Sequence, residues 1–135
     1  MRNNKLTPFL LIAFVAILFT HCANDARALN KKLSEIAAKL NESTPIMLDN
    51  FTRFDHAEVT KNNVFRYHYT VINTDDPKQL IDEHCDSMKD EIKLSFATNP
   101  DLRIFVKNNV PIEYIYKDEK GNIIKNIPIH PSDYK

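Results

Sequence analysis

Two periods of apolar spacing divide the chain. Leu29, Leu33, Ile36, Ala37 and Leu40 recur at helical intervals, with Lys31, Lys32, Glu35 and Lys39 between them. This spacing predicts an amphipathic helix over roughly 27–41 with one face for a core. "NESTP" (41–45) ends it, because Pro45 and a small polar run do not continue a helix. From residue 46 the period shortens to two, and two or three strands fit before residue 75. The clearest is Val64–Ile72, where Phe65, Tyr67, Tyr69 and Val71 point one way and Arg66, His68 and Thr70 the other. "TKNN" (60–63) is its leading turn, with Asn62 or Asn63 suited to positive φ, and residues near 52–59 are its hairpin partner.

The helical period returns in "DDPKQLIDEHCDSMKDEIKLSF". Asp76 is placed to cap this helix and Pro77 suits its first turn. Ile81, Cys85, Met88, Ile92 and Phe96 form its apolar stripe. A short helix follows, capped by Asn99 before Pro100, with Leu102, Phe105 and Val106 on the buried face. Alternation then closes the chain. Ile112, Tyr114 and Tyr116 share a face, matched across the "DEKGN" turn by Ile123, Ile127 and Ile129, with Lys125 the one polar interruption. Gly121 supplies the left-handed residue of that turn. Pro128, which cannot donate to a neighbour, marks an edge strand.

The order helix, hairpin, helix, helix, hairpin predicts an α+β fold. It is an antiparallel sheet of about four to five strands, in two hairpins, with amphipathic helices packed on one face. On this reading the aromatic and aliphatic ladder is consumed in the core.

The first residues change the picture of where this domain resides. Arg2 and Lys5 precede "FLLIAFVAILF" (9–19), 11 unbroken apolar residues. The run suits a signal peptide and is shorter than the ~20 residues that span a bilayer. The division expected is a signal segment over 1–28 and a single domain over 29–135. Three fates stay open for the segment: cleavage after "ARA" (26–28), retention as an uncleaved anchor, or lipidation at Cys22. Against the last, His21 stands where lipoprotein signals want a small residue. All three place the domain outside the cytoplasm, in the periplasm or cell envelope. Loss of residues 1–28 removes Arg2, Lys5, Arg27 and Asp25 and leaves 15 basic and 17 acidic residues. Cys85 is then the one cysteine, so no internal disulfide supports the core.

The whole chain carries 18 basic and 18 acidic residues, without the cationic surplus that a nucleic-acid partner requires. Its single glycine excludes phosphate-cradling loops, the dinucleotide fingerprint and the nucleophile elbow. His84 and Cys85 are neighbours about 100° apart on a helix and do not converge; Cys85 reads as core. His56, His68 and His130 show no zinc-ligand spacing. The reading is therefore non-enzymatic, with no cofactor and no metal. If something binds, the sheet's exposed face or an open edge strand is the place. The candidate residues are Arg53, Asp55, Arg66 and His68: Arg53 can grip a carboxylate on this chain or a partner's, and Arg66 and His68 project away from the aromatics. "NES" at Asn41 and "NFT" at Asn50 match the glycosylation sequon.

"PIMLDNFTRFD", "FRYHYTVIN" and "NPDLRIFVKNNVPIEYIYKDEKGNIIKNIPIHPSDY" together resemble an uncharacterised group of small exported bacterial proteins, over roughly residues 44–134. The resemblance implies an envelope location and a shared architecture, and supplies no catalytic residue. Such proteins often carry a cysteine just before the "NPDLR" helix and another at the extreme C-terminus; Ala97 and Tyr134 stand at those places here. The expected function is an exported protein-binding or accessory domain of the bacterial envelope, of the secretion-apparatus or inhibitor type. Its partner is another envelope or secreted protein, and it meets the membrane only through the N-terminal segment. The alternative is a periplasmic small-ligand-binding domain.

Overall fold

The computed structural model describes residues 7–134, with side chains from Asn24 onward. The charges Arg2 and Lys5 and the Cys22 side chain, on which the signal-peptide and lipidation expectations turn, lie outside the described residues. Helix α1 runs from Thr7 to Asn41, beginning well before the expected residue 27. The "ANDARAL" stretch between the apolar run and the amphipathic face holds no glycine or proline to interrupt it. Among the described residues no helix is long and apolar enough to cross a membrane.

The strands are β1 (Ile46–Met47), β2 (Thr52–Val59), β3 (Phe65–Val71), β4 (Ile112–Lys117) and β5 (Ile123–Ile129). Between β3 and β4 lie α2 (Pro77–Thr98), a 3-10 turn (Pro100–Leu102) and α3 (Arg103–Lys107). The α+β architecture follows the sequence expectation: one five-stranded sheet in the order β1-β2-β3-β4-β5. β5 is an edge strand, as Pro128 requires. The local signals hold as well. Asp76 caps α2 by accepting from Gln79 N at 2.9 Å. Asn99 accepts from Asp101 N at 2.9 Å at the head of the 3-10 turn. Asn63 (φ 61°) and Gly121 (φ 86°) take the left-handed positions of the two hairpin turns.

One pairing departs from a wholly antiparallel sheet. β3 and β4 run parallel, from Phe65 opposite Ile112 to Thr70 opposite Lys117. The crossover through α2 and α3 carries the chain back over one face of the sheet, so β4 starts beside the start of β3.

The core lies between that face and the helices. It joins Leu33 and Ala37 of α1, Ile81, Cys85 and Phe96 of α2, and Phe105 of α3 to Phe54, Phe65, Tyr69, Val71, Ile112, Tyr116, Ile127 and Ile129 of the sheet. Cys85 is thus core. Phe105 meets Phe65 edge-on at 5.0 Å between ring centroids and Phe96 at 6.0 Å, geometry that the aromatic quadrupoles favour. The tyrosines form a ladder across β3 and β4. Tyr67 stacks on Tyr114 at 5.1 Å and Tyr69 on Tyr116 at 5.0 Å, and burial pushes the Tyr67 phenol up to about 12. Ile123 does not share this face. A register shift near Tyr116 and Lys117 puts an extra residue into β5 and breaks the two-residue alternation. Ile123 is left 64% exposed, and Ile124 packs against the core instead.

Candidate functional site

Two surfaces carry unusual side chains, one on each side of the sheet. On the helix-free face, β2, β3 and β4 bring the four expected residues together. Arg53 Nε donates to Asp55 Oδ1 at 2.6 Å, and Thr70 Oγ1 donates to Asp55 Oδ2 at 2.6 Å. Two repeats of the pleat further along, beyond His68, Arg66 Nε donates to Glu113 Oε2 at 2.7 Å and its Nη1 approaches Glu58 Oε1 at 3.5 Å. Arg53 and Arg66 are therefore already paired within the chain. Their strand positions explain this: Arg53 lies opposite Thr70, and Arg66 lies between Glu58 and Glu113.

Histidine 68 sits in the middle of this face. β2 carries an irregularity between Phe54 and His56, so His56 falls directly opposite His68. Their rings stack at 4.3 Å with planes 7° apart. His68 Nε2 meets Glu58 Oε1 at 3.2 Å. Desolvation pulls the His68 imidazole below the usual histidine value, in spite of the Glu58 contact. Burial opposes the Glu58 charge, but His68 and Arg66 outweigh it and hold that carboxyl below its ordinary range. Spacing along the sequence hides this grouping, since the two histidines are brought together only by the cross-strand register.

On the helix side, a cleft of about 370 Å³ opens between α2 and the β1–β2 connection. Leu48, Phe51, Leu80 and Met88 line it, and Tyr69 and Tyr116 form its floor. Asp49, His84 and Glu91 are its charged or titratable wall. Strand β1 and the loop after it, beside the cleft, hold unusually exposed apolar side chains: Ile46 44%, Met47 46%, Leu48 56% and Phe51 41%. Asp49 fixes that loop by accepting from Phe51 N and Thr52 N, both at 2.7 Å. Leu94, 63% exposed and three residues beyond Glu91, extends the same face of α2. A sequence signal for this surface exists: "IML" and Phe51 are apolar in a connection too short to bury them.

The fold resembles those of three solved structures. A Pseudomonas aeruginosa protein inferred to be secreted superposes with a TM-score of 0.69 at 16% identity, over 80% of this chain and 94% of that one. The type 2 secretion system pilotin EpsS from Vibrio vulnificus gives a TM-score of 0.61 at 15% identity, over 84% and 97%. The type II secretion system pilotin AspS from Vibrio cholerae gives 0.59 at 12%, over 83% and 97%. No curated protein matches the chain in sequence. The family model for a domain of unknown function, DUF8479, matches residues 28–125, and the chain belongs to that family.

Proposed function

We propose that this chain is an exported, non-enzymatic accessory domain that holds an apolar segment of another envelope protein, in the manner of a secretion-apparatus factor. Residues 1–28 direct its export, and the domain works in the periplasm or at the envelope membrane. The observation that carries this reading is the exposed apolar rim at Ile46, Met47, Leu48 and Phe51 beside a tyrosine-floored cleft. Contiguous apolar surface with a polar edge is a mark of a protein interface. An open groove along α2 suits an amphipathic helix whose anchors repeat every three or four residues. Asp49 and Glu91 at its wall favour a segment with basic residues beside the apolar stripe. The fold shared with two pilotins is consistent with this reading.

The test is site-specific photo-crosslinking in the native host. A benzophenone amino acid replaces Phe51 in one strain and Lys61, in the exposed β2–β3 turn, in another. The expected result is one adduct with an envelope protein from Phe51, absent from Lys61 and lost when Leu48→Asp is added. Adducts of equal yield from both sites, or an adduct with a cytoplasmic protein, would sink the proposal. A second reading, a small-ligand domain, draws on the cleft volume, which falls within the roughly 300–1,000 Å³ typical of ligand pockets. A ligand held there raises Tm in a thermal-shift screen, and Phe51→Asp abolishes the rise.

A further inference from the structure

We propose that His56, Glu58 and His68 form a binding site for a divalent transition-metal ion of the zinc class, on the helix-free face of the sheet. One ligand atom from each of the three lies within 4.8 Å of the other two. Four-coordinate binding at ~2.05 Å from the metal places ligand atoms about 3.3 Å apart. His68 Nε2 and Glu58 Oε1 are already at 3.2 Å. The remaining change is a rotation of the His56 ring, which is stacked beside His68 on the neighbouring strand. All three residues stand on paired strands, Glu58 two positions from His56 and His68 directly across from it.

His68 is the buried member of the group. It is 8% exposed, and its Nδ1 is buried with no hydrogen-bond partner. Its Nε2 is therefore the nitrogen it presents to the site, and coordination there fixes the ring proton on Nδ1. Two imidazoles and one carboxylate select a borderline ion such as Zn²⁺, Co²⁺, Ni²⁺ or Cu²⁺ over Mg²⁺ or Ca²⁺, which prefer all-oxygen shells. The open side of the sheet leaves at least one position for water or a partner's side chain. Of the cations facing the site, Arg66 is held by Glu113 at 2.7 Å while its Nη1 approaches Glu58 Oε1 at 3.5 Å, a contact that an entering metal displaces, and Lys117 acts on His68 through space. The metal competes with protons for its ligand atoms, so binding weakens as pH falls.

Titration of the detergent-purified full chain with CoCl₂ at pH 7.5, followed by visible absorption, tests the site, with ZnCl₂ competition giving affinity. The expected result is ligand-field absorption saturating at one ion per chain and displaced by zinc. His56→Gln and Glu58→Gln should each weaken zinc binding at least tenfold while circular dichroism shows the fold intact. His130→Gln, remote from the site, should leave it unchanged. Absence of the cobalt bands, zinc affinity unaltered by both His56→Gln and Glu58→Gln, or an equal loss in His130→Gln would each overturn the proposal.

Discussion

Asn41, the last residue of α1, grips the backbone of Ala57 in β2 with both ends of its amide. Its Oδ1 accepts from Ala57 N at 2.7 Å and its Nδ2 donates to Ala57 O at 2.8 Å. β1 pairs with β2 only at Phe54 and Arg53, so the rest of that edge is open, and Asn41 takes the place of a missing strand at Ala57. Asn41→Ala removes both bonds and strands a part-buried amide. The expected loss is about 1–3 kcal/mol in urea unfolding. Asn41→Asp, which keeps the acceptor alone, should fall between. A glycan at the "NES" sequon would replace one of the two Nδ2 hydrogens and crowd this part-buried contact.

Phe105 is 1% exposed and joins α3 to both Phe65 and Phe96. Phe105→Ala should cost about 3–5 kcal/mol, seen as a lower urea midpoint with an unchanged slope. Phe105→Leu, which keeps most of the volume, should cost distinctly less.

Asp82 lies between two lysines. Lys125 of β5 donates to it at 2.6 Å and Lys78 of α2 pairs with it as well. The hydrogen bonds from Lys125 and Lys78 hold the Asp82 carboxyl down to about 2. The folded value lies below the unfolded one near 3.9, so the stabilisation is present above pH 4 and is lost as pH falls toward 2. All three groups are solvated, and the effect is small. Asp82→Asn should lower Tm by a few degrees or less at pH 6, and the difference from the parent should vanish near pH 2.

His68 acts in the opposite pH region. Desolvation lowers its folded value beneath the unfolded value near 6.5. Below that pH the unfolded chain takes up a proton that folded His68 resists, so stability declines as pH falls. Metal-free protein should show a lower Tm at pH 5.5 than at pH 7.5, and His68→Gln should show a smaller decline across the same interval. Equal declines in the two proteins would remove His68 as the cause.

Tyr134 anchors the end of the chain. Its ring stacks on Phe96 at 4.9 Å, and its hydroxyl donates to Val110 O at 2.7 Å. The related exported proteins are expected to have cysteines near these two places; here an aromatic pair joins them. Tyr134→Phe should cost about 0.5–1.5 kcal/mol through the lost hydrogen bond. Tyr134→Ala should cost about 3–5 kcal/mol, and neither variant should respond to a reducing agent.

The features legible in the sequence are those encoded within a few residues. Asp76 with Pro77, Asn99 with Pro100, and Gly121 in its turn each state a local backbone requirement. The alternation in "FRYHYTV" assigns every side chain of β3 to its face without knowledge of the neighbours. What escaped depends on how distant segments align. Nothing in "FRYHYTV" or "IEYIYK" specifies that the two strands run parallel. The extra residue near Ile123 inverts a face that strict alternation would have placed inward. The His56–His68 stack follows from an irregularity at Asp55, two strands' register meeting at one position. The cleft is masked for a related reason: its apolar walls come from a loop and a helix about 30 to 40 residues apart, and each alone reads as ordinary core.

The parallel seam between β3 and β4 also dictates an order of assembly. Each antiparallel hairpin can close through its own short turn, whereas Phe65 and Ile112 meet only after the intervening helices have formed and folded back. The slow step in acquiring the native state is therefore the joining of two prebuilt halves, because closure of a long loop must precede the contacts that reward it. A pulse of hydrogen exchange during refolding would register amides of both hairpins as protected before those along the seam.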